Sequence, residues 1–345
     1  MPKDNENIPF LGPVEPSEPQ GFSAEQMIRC EECLRANPPT RVSCLYCVAP
    51  LPLTETSARL VKPVLRPPEK HQLGYNNILL PHDQVVAAKV VAGAAELLKL
   101  SEENVREVLS QRVALPVART GSGEESKLVT DRLRELGLQG LTVSDAELGN
   151  TVRRVRSMML SDTSLTINQA GAAEQTNVSW SDIVLIVTGR LFETRLEIKE
   201  RMTGKPENEI LDTSEFFRDE YVIDFYVRTH SSTWRVGANG FDFSCLGREK
   251  AIVVNENMGK LLRLMCEKAG HAQVDDSYAR VRNLLELAWT TQPETQSSGW
   301  RRERPGKLSV GVSTTRSNEI QFTRYSRLRY CLWLNGRVEK GLESD

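Results

Sequence analysis

Residues 30–47 read CEECLRANPPTRVSCLYC and hold four of the seven cysteines of the chain. These form two C-x2-C pairs, Cys30 with Cys33 and Cys44 with Cys47, separated by ten residues. Each pair places two thiols on one side of a tight turn, and two such turns supply the four ligands of a tetrahedral zinc site. The spacing therefore predicts a small ribbon folded around one structural Zn²⁺.

Free thiols, disulfides and a redox dithiol are the alternatives for this quartet. No leader peptide is evident in residues 1–10, so we expect a cytoplasmic chain, in which disulfides are rare. A redox dithiol needs one C-x2-C pair, whereas this chain has two. Because all four positions are cysteine, no ligand position is left for water or substrate, which indicates a structural metal. The segment resembles the short zinc ribbons of bacterial multidomain proteins, which implies a ribbon over residues 26–50 and a bacterial chain.

The composition is that of a globular protein. The chain has 345 residues, with 44 Lys and Arg against 46 Asp and Glu, and this length predicts two or three domains. A net charge of -2 excludes a protein that coats nucleic acid through its bulk charge, but it allows a local basic patch. The most apolar window, residues 85–100, contains three charged residues and is too short to cross a bilayer, so we expect no membrane insertion.

Proline-rich segments flank the predicted ribbon. Residues 1–25 combine five prolines with acidic and small polar residues, which predicts disorder. Residues 51–75 carry four more prolines without a regular apolar period, which predicts an extended linker.

Residues 76–148 alternate between strand and helix patterns. The predicted order is β-α-α-β-α-β, a small α/β sandwich module in which Ser101 and Ser122 begin helices. The runs AGAAELLKLSEENVREVLSQ (92–111) and EESKLVTDRLRELGLQGLTV (124–143) resemble the C-terminal domain of the bacterial ribosomal stalk protein. The resemblance implies the fold, but the lysine-rich surface that binds translation factors in that family is missing.

Residues 152–290 contain β-branched strand patterns followed by two amphipathic helices. They predict a mostly antiparallel β domain closed by C-terminal helices, and so a multidomain α+β chain overall. The segment VSWSDI (178–183) resembles a strand start of bacterial pleckstrin-homology-like domains. Lipid binding is the least favoured function of such a domain here, because the loop at 161–164 holds an acid and no base.

Residues 291–345 predict a basic, largely disordered tail. Between residues 301 and 337 there are nine Lys and Arg against two acids. Aromatic residues interleave with the later arginines, a composition that suits phosphate contacts and base stacking. The predicted interaction residues are Arg301, Arg302, Arg304, Phe322, Arg324, Tyr325, Arg327 and Arg329.

The sequence contains no set of residues typical of an active site. The four histidines are not paired at metal-ligand spacing, and no nucleophile–base arrangement or nucleotide-binding motif is present. We therefore expect a non-enzymatic adaptor or regulatory protein that binds protein partners. The alternative is a nucleic-acid-binding protein that uses the ribbon and the tail. The identity of the partner does not follow from the residues.

Overall fold

A computed structural model describes the protein over most of its length. The described residues are 21–52, 54, 57, 60–61, 65, 73–149, 151–169, 171, 175–201, 209–228, 232–304 and 307–336. The chain divides into two compact units, Met1–Pro63 and Val64–Asp345. The disorder predicted for 1–25 and the linker predicted for 51–75 fall largely outside the described residues. No helix in the described ranges is both long and apolar enough to cross a membrane.

The first unit contains two very short antiparallel strands, β1 (Ile28–Arg29) and β2 (Ala36–Asn37). Its hydrophobic cluster consists of Ile28, Cys30, Cys44 and Leu51, and Val61 is also buried in the described part of this unit. A core of this size cannot offset the conformational entropy lost on folding, so a segment of this kind depends on a metal or another cross-link.

The second unit begins with a three-stranded antiparallel sheet in the order β4-β3-β5. Its elements are β3 (Tyr75–Leu79), α1 (Ala88–Leu98), α2 (Glu102–Ser110), β4 (Leu115–Thr120), α3 (Gly123–Glu135), β5 (Gly140–Ser144) and α4 (Asp145–Leu148). The sequence predicts this same order up to β5. The Ser101 side chain accepts a hydrogen bond from the Asn104 amide, as an N-cap does.

A large curled sheet follows. Its elements are β6 (Val152–Leu160), β7 (Ser164–Gln169), β8 (Gln175–Ser179), β9 (Ile183–Arg201), β10 (Glu209–Val227), β11 (Thr233–Gly237), α5 (Val254–Lys268), β12 (Gln273–Asp275), α6 (Tyr278–Leu285), β13 (Glu294–Arg304), β14 (Lys307–Ser317) and α7 (Glu319–Leu334). The strand order is β13-β14-β9-β10-β11-β6-β7-β8, with β12 beside β9. Only the pairs β11–β6 and β12–β9 are parallel among the described strands.

The C-terminal segment differs from its prediction. The sequence predicts a largely disordered tail over 291–345, whereas the structure has the hairpin β13–β14 and the helix α7 over most of the described part. The physical reason is that the aromatic residues between the arginines belong to the core: Phe322, Tyr325 and Leu328 are fully buried. The many arginines of this segment led to a prediction of disorder, although the segment forms a helix whose buried face is aromatic. Residues 337–345 lie outside the described residues.

The buried apolar residues of the second unit form two clusters, and the larger one joins elements of residues 76–148 to the large sheet and α7. One cluster of buried residues combines Leu115 and Val129 with Leu185 of β9 and Phe322 of α7. Phe322 packs so closely on β9 that a β-carbon at Gly189 would collide with its ring. The C-terminal helix therefore covers the sheet.

A buried ion pair fixes α7 on the sheet. Arg235 and Asp224 lie opposite each other on β11 and β10 and form two hydrogen bonds, at 2.7 and 2.8 Å. The Arg235 guanidinium also donates to Thr323 Oγ1 at 3.0 Å and to Glu319 Oε1 at 3.2 Å, both on α7. Burial disfavours the charged guanidinium, but the attraction of Asp224 raises the pKa of Arg235 above its usual value.

We expect a chain that ends at Trp289 to lose the cooperative fold of the second unit. It would lack five large buried apolar side chains of α7, and each such loss costs about 2–5 kcal/mol, together at least as much as a whole domain's stability. Circular dichroism with thermal unfolding checks this, and a chain ending at Gly336, which keeps α7, serves as the control. Cooperative melting of the shorter chain near the control's temperature would contradict the assignment of α7 to the core.

Candidate metal centre

The four predicted cysteines come together in the first unit. Their Sγ atoms all lie within 4.8 Å of one another, and the Cys30–Cys47 and Cys33–Cys44 pairs are each 3.5 Å apart. A disulfide bond requires about 2.05 Å, so these are free thiols. Four thiolates around one Zn²⁺, with Zn–S bonds of about 2.3 Å, lie roughly 3.8 Å apart. The cluster is therefore positioned to hold one metal ion.

The two C-x2-C turns have the same backbone hydrogen bonding. Leu34 N–H donates to the Cys30 carbonyl at 2.9 Å, and Val48 N–H donates to the Cys44 carbonyl at 3.1 Å. Both donors lie in the left-handed region, with φ of 59° at Leu34 and 63° at Val48. Each turn thus points two Sγ atoms inward, although neither has the glycine that this backbone conformation favours.

Hydrogen bonds distribute negative charge unequally over the cluster. Burial raises the pKa of Cys44, but donation from the amides of Cys47 and Tyr46 and from the Asn37 side chain brings it to about 6. For Cys47, a backbone hydrogen bond involving Ala49 lowers the pKa, yet loss of water and the neighbouring thiols raise it to about 12. Four adjacent thiolates repel one another, so full ionisation requires a bound cation.

Asn37 connects the two turns and was not predicted from the sequence. Its fully buried side chain donates from Nδ2 to Cys44 Sγ at 3.4 Å and to the Arg35 carbonyl at 2.9 Å. Its Oδ1 accepts from the Leu45 amide at 2.8 Å. In the sequence, Asn37 is simply an amide residue before Pro38, and this segment predicts a turn but no contact with a cysteine. Asn37 is a positioning residue, because it orients a ligand sulfur without being a ligand.

The predicted tail residues do not form one surface. Phe322 and Tyr325 are fully buried, so their rings are not available for stacking. Arg301 is exposed on β13. Arg302 and Arg304 are on the same strand, where the structure describes their backbone alone.

The arginines of α7 contact the protein itself. Arg329 is nearly buried and forms an ion pair with Asp275. Arg327 donates from Nε to the Glu147 carbonyl at 3.0 Å. Arg324 lies 3.8 Å from Asp145. The proposed arginine–aromatic footprint is thus mostly a set of contacts that hold α7 in place.

Comparison with known proteins gives no match. No family model, no curated protein and no solved structure resembles this chain significantly, so neither the ribosomal stalk fold nor the pleckstrin-homology-like fold gains support from a relative.

We expect Asn37→Ala to weaken metal binding by about 10–100-fold, the usual effect of removing a residue that orients a ligand. Competition of Co²⁺ and Zn²⁺ for the full chain, followed through the thiolate absorption of the cobalt form, measures this affinity. Thr40→Ala, in the same loop, is the matched control and should bind like the unmodified chain. Equal affinity of the Asn37 variant would show that the hydrogen bond to Cys44 Sγ does not order the site.

We expect Val48→Gly to tighten metal binding by several-fold. A β-branched residue at φ of 63° costs about 1 kcal/mol that glycine avoids, and little packing is lost because Val48 is 77% exposed. Leu45→Gly, at a position without positive φ, is the control and should weaken binding through added chain entropy. The same competition assay measures both variants, and parallel weakening would mean that backbone strain at residue 48 is unimportant.

Proposed function

We propose that this chain is a non-enzymatic adaptor whose zinc-bound ribbon docks a protein partner through the tips of its two cysteine turns. Zn²⁺ is the ion that four thiolates in a closed tetrahedron favour, and its role here is structural. The metal would fix the two turns, and the turns would present side chains to the partner.

The observation that carries this proposal is the exposure of large apolar side chains on the turns. Leu34 is 66% exposed, Leu45 51%, Tyr46 55% and Val48 77%. Among the described residues of the first unit, the buried large apolar side chains are Ile28, Leu51 and Val61, fewer than these four. A small module whose apolar residues are as numerous outside as inside is better explained by binding than by folding. We call these four residues the knuckle tips.

The charge around the knuckle tips favours a protein over a nucleic acid. Arg29, Arg35 and Arg41 are balanced by three acids, Glu25, Glu31 and Glu32. The Arg35 guanidinium lies over the Tyr46 ring, 4.7 Å from its centroid, and so covers one face of this aromatic ring. Nucleic-acid binding generally requires an excess of positive charge, which this surface lacks.

A capture experiment tests the proposal. Tagged full-length chain, loaded with Zn²⁺, is incubated with native lysate that has been divided into nuclease-treated and untreated halves. The test variant is Leu45→Ser with Tyr46→Ser, and the control is Ile252→Ser, which changes a fully exposed apolar residue of the second unit. We expect a discrete protein partner whose capture survives nuclease and about 0.5 M salt, a concentration that screens charges on the protein surface. Only the double variant should lose this partner.

The remaining outcomes are also informative. Capture that disappears with nuclease or salt would overturn the protein-docking proposal in favour of nucleic acid. Capture that both variants retain would place the docking surface elsewhere on the chain. Metal content, measured on each variant, confirms that the serine substitutions leave the zinc site intact.

A further inference from the structure

A large cavity in the second unit is lined by residues from several elements. Its volume is about 670 Å³, within the range of small-molecule sites. The walls come from β4, the end of α1, the segment after α6, the hairpin β13–β14 and the start of α7. Neither the ribbon nor its proposed partner accounts for this cavity.

Three cationic side chains line the cavity, Lys99, Arg119 and Arg324, against one acidic residue, Glu294. Arg119 and Arg324 both approach a single buried carboxylate, Asp145, which lies beside the cavity. Asp145 is 4% exposed and also accepts hydrogen bonds from Asn76 and from the Gly74 amide. One carboxylate is therefore shared by two guanidinium groups.

The hydrogen-bonding capacity of these arginines is mostly unused. Arg324 has five N–H donors, yet it makes no hydrogen bond to any described residue and is only 27% exposed. Arg119 donates to Asp145 alone, and its Nε is buried without a partner among the described residues. Burial lowers the pKa of Arg324 below its usual value. Attraction to Asp145 raises this pKa in part, and repulsion from Arg119 lowers it again. Donors of this kind favour an anion with several oxygens.

Lys99 provides a third cation in a strained backbone position. It ends α1 with φ of 54°, where glycine is the favoured residue. Its side chain is exposed at the cavity and forms no ion pair with a described residue. Lysine at this position brings a positive charge to the cavity at the cost of a strained backbone.

We propose that this cavity binds an organic anion, with a phosphate or carboxylate group held by Arg119 and Arg324 and an apolar body in the remaining space. The rest of the wall supports the apolar body, since Leu98, Val117, Leu287 and Trp289 lie on it. Phosphate and carboxylate share the bidentate geometry that guanidinium groups recognise.

Isothermal titration of the full chain with four probes at low salt tests this proposal. The probes are 1-naphthyl phosphate, 1-naphthoate, the uncharged 1-naphthol and inorganic phosphate. We expect the two naphthyl anions to bind with Kd below about 1 mM, and each of the other two probes to bind at least about tenfold more weakly, because it lacks either the head or the body. A preference between the first two identifies the natural head group.

Three variants locate the binding. Arg324→Gln should lose about tenfold or more in affinity and still fold, because Asp145 keeps its pair with Arg119. Lys99→Gly should lose a few-fold in affinity while its melting temperature stays level or rises, since glycine relieves the positive φ. Arg263→Gln, on the exposed face of α5, is the control and should bind normally.

Several results would overturn the proposal. These are no saturable binding of either naphthyl anion, equal binding of 1-naphthol, or unchanged binding by Arg324→Gln. The melting temperature of each variant distinguishes loss of binding from loss of the fold.

Discussion

The buried pair of Arg235 and Asp224 is the constraint on which the second unit depends. Removing both charges from water is costly, and the cost is offset only if every donor and acceptor is satisfied. Asp224 supplies two acceptors, and α7 supplies the others through Thr323 and Glu319. The pair is thus complete only when α7 lies on the sheet, so it fixes the position of that helix as well as the two strands.

The placement of α7 in turn creates the cavity. Phe322 seats the helix against Gly189, and the Tyr325 hydroxyl donates to Asp275 Oδ1 at 3.1 Å. With its buried face fixed in this way, the helix presents Arg324 toward Asp145 and the cavity. The arginine that carries the proposed anion site is therefore positioned by interactions that are themselves structural.

Much of the secondary structure could be predicted from the sequence, because it depends on residues that are close together in the chain. Strands and helices between residues 76 and 290 follow apolar periodicity, and Ser101 caps its helix as expected. The clustering of the four cysteines follows from their spacing alone. Pairings between distant positions were not readable: Arg235 with Glu319, or Arg324 with Asp145, join residues that only the three-dimensional fold brings together.

The error over the C-terminal segment has the same origin. Local charge suggested solvation, yet the arginines of α7 are compatible with burial because acids elsewhere in the chain neutralise them. Arg329 meets Asp275, and Arg324 meets Asp145, more than fifty residues and more than one hundred residues away in sequence. The role of Asn37 could not be predicted either, although it lies only seven residues from Cys44. An amide near a turn can be assigned to a thiol only when the fold shows the two within hydrogen-bonding distance.

The two units reach stability by different physical means, and this difference separates their proposed roles. The described part of the ribbon buries few apolar residues, so its fold would depend on the proposed metal, and its apolar side chains can remain outside for a partner. The second unit has two large clusters of buried residues, and it tolerates a cavity with several cations at its wall. A chain built in this way can bind a protein through one unit and an anion through the other.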